Sequence, residues 1–224
     1  MNHKNILKTH RRTLYCSGYW TLPDYRKNSL QHYRARIPRT FRMLAGGNPL
    51  FWYESDDVLE MVKESAQVYG INLIPRRLAF ADLPAQVAAD AMTGDCSRMG
   101  LKERPNVPME QVRERGVANY WREYVDAGPE VYRSLVLIWL SKVLLLSDTA
   151  KSEISNDFER FSWVDVSITR MNGQPGWDFR KQKQPIDCIS HYGNRMTKND
   201  TPLPLSAGYL SGGGRSLGRA ENLL

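Results

Sequence analysis

The sequence has few cysteines and no long apolar run. Its three cysteines are scattered and form no C-x-x-C pair, which excludes a disulfide framework and a zinc site of that type. The most apolar stretch, residues 135–146, contains Ser141 and Lys142 and falls short of the ~20 residues that span a bilayer. No apolar run follows the basic N-terminus. We therefore expect no signal peptide, no transmembrane segment and a reducing, cytoplasmic location.

Several catalytic motifs are also missing. The chain has no G-x-G-x-x-G after a strand and no Walker A sequence, which argues against dinucleotide oxidoreductases and P-loop enzymes. It also lacks G-x-S-x-G, H-E-x-x-H and a catalytic cysteine signature. Serine, cysteine and zinc hydrolases are therefore disfavoured.

Acidic residues are scarce at one end of the chain. Residues 1–50 contain ten Lys and Arg but only one acid, Asp24, so this basic segment carries +9. The whole chain has 31 Lys+Arg and 24 Asp+Glu, or +7, and the other 174 residues therefore carry −2. Aromatic side chains alternate with the basic ones, a mixture that suits a nucleotide, a polyphosphate or a nucleic acid strand. A solvated basic helix face is the alternative interpretation.

The first 75 residues predict alternating strands and helices. Apolar and β-branched runs predict strands at 14–20, 49–53 and 71–74. Apolar residues at steps of three and four predict helices at 29–44 and 58–69. Because parallel strands need a crossover connection, this order predicts an α/β fold with a mostly parallel sheet.

The remainder of the chain is predicted to be less regular, and its length of 224 residues predicts a single domain. In chain order we expect a loop with room for a short helix at 83–108, helices at about 110–125 and 129–147, a strand at 161–168, and a tail of mostly loops after 170 that includes a small-residue-rich segment at 203–214.

Asp165 is the most informative single residue. It lies between two valines inside the strand predicted at 161–168. An unpaired carboxylate is costly to bury, so Asp165 must be exposed at the strand end, paired with a cation or bound to a metal ion. Arg170 is one candidate for the cation, and Mg²⁺ or Mn²⁺ is the candidate metal.

Lys142 interrupts the apolar helix predicted at 129–147. Its ammonium must either reach solvent along its aliphatic stem or meet an anion. Asp165 and a ligand phosphate are both candidates for that anion.

Two further features suggest ligand contacts. Gly208, Gly212 and Gly213 precede Arg215 in a cluster whose backbone N–H groups suit a phosphate, although a plain surface turn is the alternative. His191 is a candidate for completing a metal site with Asp165, and an ordinary surface role is the alternative.

The pieces and their order resemble nucleotide-sugar glycosyltransferases of the GT-A type, and among them the bacterial HtrL/YibB family, to which WlaTC-like proteins belong. The short motifs that carry the resemblance extend from about residue 13 to residue 214. They are Tyr15-Cys16-Ser17-Gly18-Tyr19-Trp20 followed by Arg26 and Tyr33, then Phe51-Trp52-Tyr53-Glu54, Trp139-Leu140-Ser141-Lys142, Trp163-Val164-Asp165-Val166-Ser167, and Ser206-Ala207-Gly208-Tyr209-Leu210-Ser211-Gly212-Gly213.

The resemblance implies one GT-A-like domain over residues 1–224, with a nucleotide-binding half at about 13–75 and acceptor-side loops within about 110–214. The donor would be a nucleotide-diphosphate sugar. The implied donor-binding residues are Tyr15, Ser17, Tyr19, Arg26 and Lys142, together with Gly208, Gly212 and Gly213.

The same resemblance implies a divalent cation, Mn²⁺ or Mg²⁺, held at Asp165. The motif here is Asp165-Val166-Ser167, which supplies one carboxylate where Asp-x-Asp would supply two. A carboxylate would act as base on the acceptor hydroxyl, and Asp178 and Asp187 are the candidates.

The leading functional hypothesis is a glycosyltransferase whose acceptor is a glycan or a lipid-linked saccharide. A second hypothesis keeps the chemistry and uses the basic segment to hold DNA, with a hydroxymethylated base as acceptor. A third is a non-catalytic nucleic-acid-binding module, which would leave Asp165 and the glycines unexplained.

Overall fold

One six-stranded sheet organises the part of the chain that the computed structural model describes, residues 12–22, 25, 29–98, 128–171, 186, 190–192, 197–198, 201–202 and 206–217. Its strands are β1 (Thr13–Tyr19), β2 (Asn48–Tyr53), β3 (Ile74–Arg77), β4 (Arg160–Val164), β5 (Ser190–Tyr192) and β8 (Ser206–Gly212), and a separate two-stranded ribbon contains β6 (Thr197–Lys198) and β7 (Thr201–Pro202).

The strand order in the sheet is β3-β2-β1-β4-β8-β5. β3, β2, β1 and β4 are mutually parallel, whereas β8 runs antiparallel to both β4 and β5. The predicted α/β fold with a mostly parallel sheet is confirmed.

Helices cover both faces of this sheet. In the described residues they are α1 (Leu30–Tyr33), α2 (Arg36–Met43), α3 (Asp56–Val68), α4 (Gln86–Arg98), α5 (Pro129–Lys151) and α6 (Gly214–Leu217), with 3₁₀ turns at Phe80–Asp82, Glu153–Asp157 and Ile168–Met171. None of these helices is long and apolar enough to cross a membrane.

Strand alternation divides the core between the two faces. Leu14 and Cys16 of β1 pack in the cluster that also contains the buried residues of α5, while Phe51 of β2 packs with α2 and α3 on the opposite face. This follows from the two-residue period of a strand, which sends neighbouring side chains to opposite faces. The buried centre of α5 explains its nearly continuous apolar sequence.

The first helical segment differs from its prediction. The stripe at 29–44 is two helices, because Pro38 lacks an N–H group and cannot bond the carbonyl of Arg34 four residues earlier. The helix is interrupted at Arg34 and Ala35. Pro38 then lies in the first turn of α2, where a missing N–H costs little.

Other boundaries also differ. The loop expected at 83–108 contains α4, whose packing against α5 stabilises a sequence with weak helical signals. β3 begins at Ile74, where its expected strand at 71–74 ends. β5 and β8 are strands in the tail expected to be mostly loops, since pairing with neighbours can organise short apolar groups. The helix expected at 110–125 lies outside the described residues.

The order of the parallel strands creates a topological switch point between β1 and β4. From β1 the chain moves outward to β2 and β3, whereas β4 lies on the other side of β1. Open α/β sheets bind ligands in the crevice at the carboxyl ends of the strands where the order reverses. We therefore expect a ligand-binding site at the residues that follow β1 and β4.

Candidate ligand-binding site

Asp165 follows β4 directly and begins a tight turn. The strand ends at Val164, so the prediction that Asp165 lies inside a longer strand was wrong. Its Oδ1 accepts hydrogen bonds from the Ser167 backbone N–H at 2.9 Å and from the Ser167 hydroxyl at 2.6 Å. Its carbonyl accepts from the Ile168 N–H at 2.9 Å. This side-chain turn ends the strand at the switch point.

Lys142 of α5 forms an ion pair with Asp165 across the end of the sheet. The Lys142 Nζ donates to Asp165 Oδ2 at 2.5 Å. The two side chains are only 6% and 15% exposed, which makes this a largely buried pair. Of the alternatives left open for Lys142 and Asp165, an ion pair between the two residues is observed. Removing Asp165 would leave the Lys142 ammonium without its carboxylate in a poorly hydrated place.

The ammonium of this pair lies over one of two stacked tryptophan rings. The Lys142 Nζ lies 5.9 Å from the ring centroid of Trp163, within range of a cation–π contact. Trp163 stacks on Trp52 with centroids 5.8 Å apart and an angle of 16° between the rings. The Trp163 Nε1 is buried and has no hydrogen-bond partner in the described structure. The aromatic surface limits the directions that the lysine can take.

Two hydroxyl groups hold the Asp165 turn from the opposite face. Ser17 of β1 donates to the carbonyl of Val164 at 2.6 Å, and Thr40 of α2 donates to the carbonyl of Val166 at 2.8 Å. Both hydroxyls are buried. The backbone on each side of Asp165 is therefore tied to a neighbouring element.

Three of the predicted donor-binding residues are part of the core. Tyr15, Ser17 and Tyr19 are 3%, 1% and 3% exposed. The Tyr19 ring lies 4.8 Å from that of Tyr33, and burial raises the pKa of its hydroxyl. In this structure these side chains are buried in the core next to the site, and their contact with a donor stays a prediction.

Two of the predicted glycines, Gly208 and Gly212, lie on β8, and Gly213 follows it directly. Gly212 pairs with Phe161, about four residues or ~13 Å along β4 from Asp165. A Cβ on Gly213 would meet the Ile186 carbonyl oxygen at 2.7 Å, so its small size serves packing. The structure thus separates these two glycines from Asp165. Gly208 precedes Tyr209, which pairs with Val164, and so lies at the Asp165 end of β8.

Of the remaining predicted residues, His191 lies on β5. The sheet register aligns His191 with Leu210, two strand spacings or ~10 Å from β4. Arg26, Asp178 and Asp187 lie outside the described residues. Their expected roles in donor binding and proton abstraction stay predictions.

The contacts of Asp165 do not fit a divalent cation. Both carboxylate oxygens carry hydrogen bonds, and one of them faces an ammonium. Across the described ranges no group of three or more His, Cys, Asp or Glu side chains is arranged to hold a metal ion. Mg²⁺ and Mn²⁺ normally draw on several oxygen ligands, including waters and substrate phosphates.

Two residues of the site were missed in the sequence. Ser167 follows Asp165 by two positions, and Asp-x-Ser after a strand is a known turn signal that would have predicted the Ser167 contacts. Thr40 gave no signal, because its bond to Val166 joins residues 126 positions apart.

Comparisons with known proteins identify no family. No family model matches the chain, and no curated protein matches it. A solved structure described as "Structure of Transferase" is similar with a TM-score of 0.44 and 13% sequence identity, over 92% of this chain and 74% of that one. At this level of similarity the functional argument rests on the site itself.

Proposed function

We propose that this protein is a glycosyltransferase that moves a sugar from a nucleotide-diphosphate sugar to an acceptor hydroxyl of a glycan or lipid-linked saccharide. The observation that carries the proposal is the buried Lys142–Asp165 pair at the switch point of the sheet. The resemblance of the short motifs to GT-A glycosyltransferases supports the same activity.

The pair offers a hydrogen-bond donor and acceptor side by side. Besides its bond to Asp165, the Lys142 ammonium has two N–H groups that make no hydrogen bond within the described residues. The Asp165 carboxylate is 15% exposed, and a carboxylate accepts hydrogen bonds from hydroxyl groups. A nucleotide sugar presents phosphate oxygens close to ribose and sugar hydroxyls, so it matches both groups.

The reaction would break the bond between the anomeric carbon and the diphosphate oxygen and form a bond to the acceptor oxygen. Negative charge grows on the leaving diphosphate, and a fixed ammonium in a water-poor site stabilises that charge. The acceptor hydroxyl loses its proton to a base, for which Asp178 and Asp187 remain the candidates. The Ser17 and Thr40 bonds would keep the Asp165 turn in one geometry during the transfer.

A donor panel tests the proposal. Uridine, guanosine, cytidine and thymidine diphosphate sugars are incubated separately with the full chain, and release of nucleoside diphosphate is measured. We expect slow hydrolysis of one donor class, reduced about 100-fold or more in Asp165→Asn.

The matched control is Asp90→Asn, which removes an exposed carboxylate of α4 that pairs with Arg133 of α5. We expect it to behave like the wild type. No turnover and no thermal stabilisation by any donor would refute the proposal.

A further inference from the structure

The carboxylate of Asp165 already has a partner on each oxygen. Oδ2 accepts from Lys142 Nζ at 2.5 Å, and Oδ1 accepts from the N–H and hydroxyl of Ser167 at 2.9 Å and 2.6 Å. A Mg²⁺ ion would bind such an oxygen at about 2.0–2.1 Å. On Oδ2 it would lie within a few ångströms of the ammonium, where like charges repel strongly because little water screens them.

Lys142 is not free to withdraw. Its side chain is 6% exposed, and its Nζ lies over the Trp163 ring. The residue belongs to α5, whose neighbouring positions are packed in the main core cluster. If the Lys142 ammonium moved away from Asp165 with no other anion nearby, its charge would lie in an apolar environment, at a high cost in free energy.

A second carboxylate is missing where a metal-binding Asp-x-Asp sequence would supply one. Ser167 occupies that position and uses its hydroxyl to donate to Asp165. A serine hydroxyl is a weak ligand for a hard divalent ion compared with a carboxylate.

We propose that this site binds the phosphates of its ligand without a divalent metal ion, and that the Lys142 ammonium supplies the positive charge. Asp165 then holds Lys142 in position and neutralises its charge when no ligand is bound. The inference rests on the proposed function, since it names how the same site meets a nucleoside diphosphate. It differs from the expectation of a Mn²⁺ or Mg²⁺ cofactor.

The first test measures metal binding alone. Mn²⁺ is titrated into the full-length protein, and free Mn²⁺ is followed by electron paramagnetic resonance. We expect wild type and Asp165→Asn to bind the same amount of Mn²⁺ at every concentration. Mn²⁺ binding that Asp165→Asn removes would overturn the proposal.

The second test needs no variant at the carboxylate. Thermal unfolding of the wild type is measured with uridine, guanosine, cytidine and thymidine diphosphates, in EDTA and in Mn²⁺. We expect the stabilising nucleotide to give the same shift in both conditions. A shift seen with Mn²⁺ and lost in EDTA would overturn the proposal even if Asp165→Asn fails to fold.

A third measurement tests whether the Lys142 ammonium supplies the positive charge that binds the phosphates. Lys142→Met is expected to weaken the nucleotide affinity about tenfold or more, whereas Lys63→Met, which removes an exposed ammonium paired with Glu60, leaves it unchanged. Unchanged affinity in Lys142→Met would overturn the role of Lys142. If no nucleotide stabilises the protein in either condition, the proposed donor is refuted, and the Mn²⁺ titration still decides the question of the metal.

Discussion

The Ser17 hydroxyl of β1 donates a 2.6 Å hydrogen bond to the carbonyl oxygen of Val164, the last residue of β4. The bond is buried and joins residues 147 positions apart in the chain. It connects the two central parallel strands near their carboxyl ends, where Asp165 begins its turn. The position of the candidate site therefore depends on a strand pairing that brings distant segments together.

Ser17→Ala should lower the free energy of unfolding by about 1 kcal/mol, because a buried hydrogen bond is lost and the Val164 carbonyl loses one partner. Urea unfolding followed by circular dichroism measures this change. Ser134→Ala is the control, since its hydroxyl bonds the Glu130 carbonyl at an exposed place on α5, and we expect a change within about 0.5 kcal/mol. Equal losses in both variants would contradict the assigned role of Ser17.

Lys142→Met should destabilise the fold by about 3 kcal/mol, because the poorly hydrated Asp165 carboxylate loses the ammonium that donates to it. The double variant Lys142→Met/Asp165→Asn should lose less than the sum of the two single variants. The exposed Lys63–Glu60 pair is the control, with an expected coupling below about 1 kcal/mol. Strict additivity at Lys142 and Asp165 would show that the ion pair contributes nothing.

Gly18→Ala should destabilise the protein by about 1–3 kcal/mol, because a Cβ there would lie 2.7 Å from Trp20 Cη2 and 3.3 Å from Trp52 Cβ. Trp20 cannot move easily, since it is buried and its Nε1 donates to the Leu78 carbonyl at 2.9 Å. Thermal unfolding measures the loss. Gly214→Ala is the control, because its nearest neighbour would be 3.4 Å away, and a lower midpoint for Gly214→Ala than for Gly18→Ala would contradict the steric argument.

Cys16 should be inert in the native protein. Burial raises the pKa of its thiol from 9.0 to about 12, against a smaller opposing effect of a hydrogen bond with Thr149. In iodoacetamide at pH 9, mass spectrometry should find Cys16 alkylated only after unfolding in urea. Modification of native Cys16 at the unfolded rate would contradict its burial.

The same thiol should make stability fall at alkaline pH. The raised pKa means that the folded state favours the neutral thiol, so its contribution is complete below about pH 9 and is lost as the pH rises towards 12. Compared with Cys16→Ala, the wild type should lose up to about 1.4 kcal/mol more per pH unit in that window. Parallel pH profiles for the two proteins would contradict this linkage.

The basic segment provides the test for a DNA acceptor. Arg34, Arg39 and Arg42 are exposed, and none of them forms an ion pair within the described residues. Any binding to duplex DNA should weaken as salt rises, and replacing the three arginines with glutamine should reduce the slope of log affinity against log salt by about 3. Fluorescence anisotropy of a labelled duplex measures both effects. Affinity that does not change with salt would eliminate the DNA hypotheses.

Local sequence patterns predicted the elements whose apolar residues are regularly spaced. The run at 14–20 and the periodic segment at 129–147 correspond to β1 and α5, because burial of a continuous apolar face dominates their free energy. Sequence also indicated that Lys142 and Asp165, two charges in apolar runs, would each either reach solvent or meet a group of opposite charge. The end of β4 at Val164 was missed, although the Asp-x-Ser turn signal was present.

Only the tertiary structure decided how these pieces meet. It brought Lys142 and Asp165 together, placed the pair at the carboxyl end of β4, and separated Gly212 and Gly213 from it. These outcomes depend on strand order and register, which are set by contacts between residues far apart in the chain. Amino-acid sequence by itself determined which side chains needed burial or a counter-charge, and the sheet topology determined which of them were brought together.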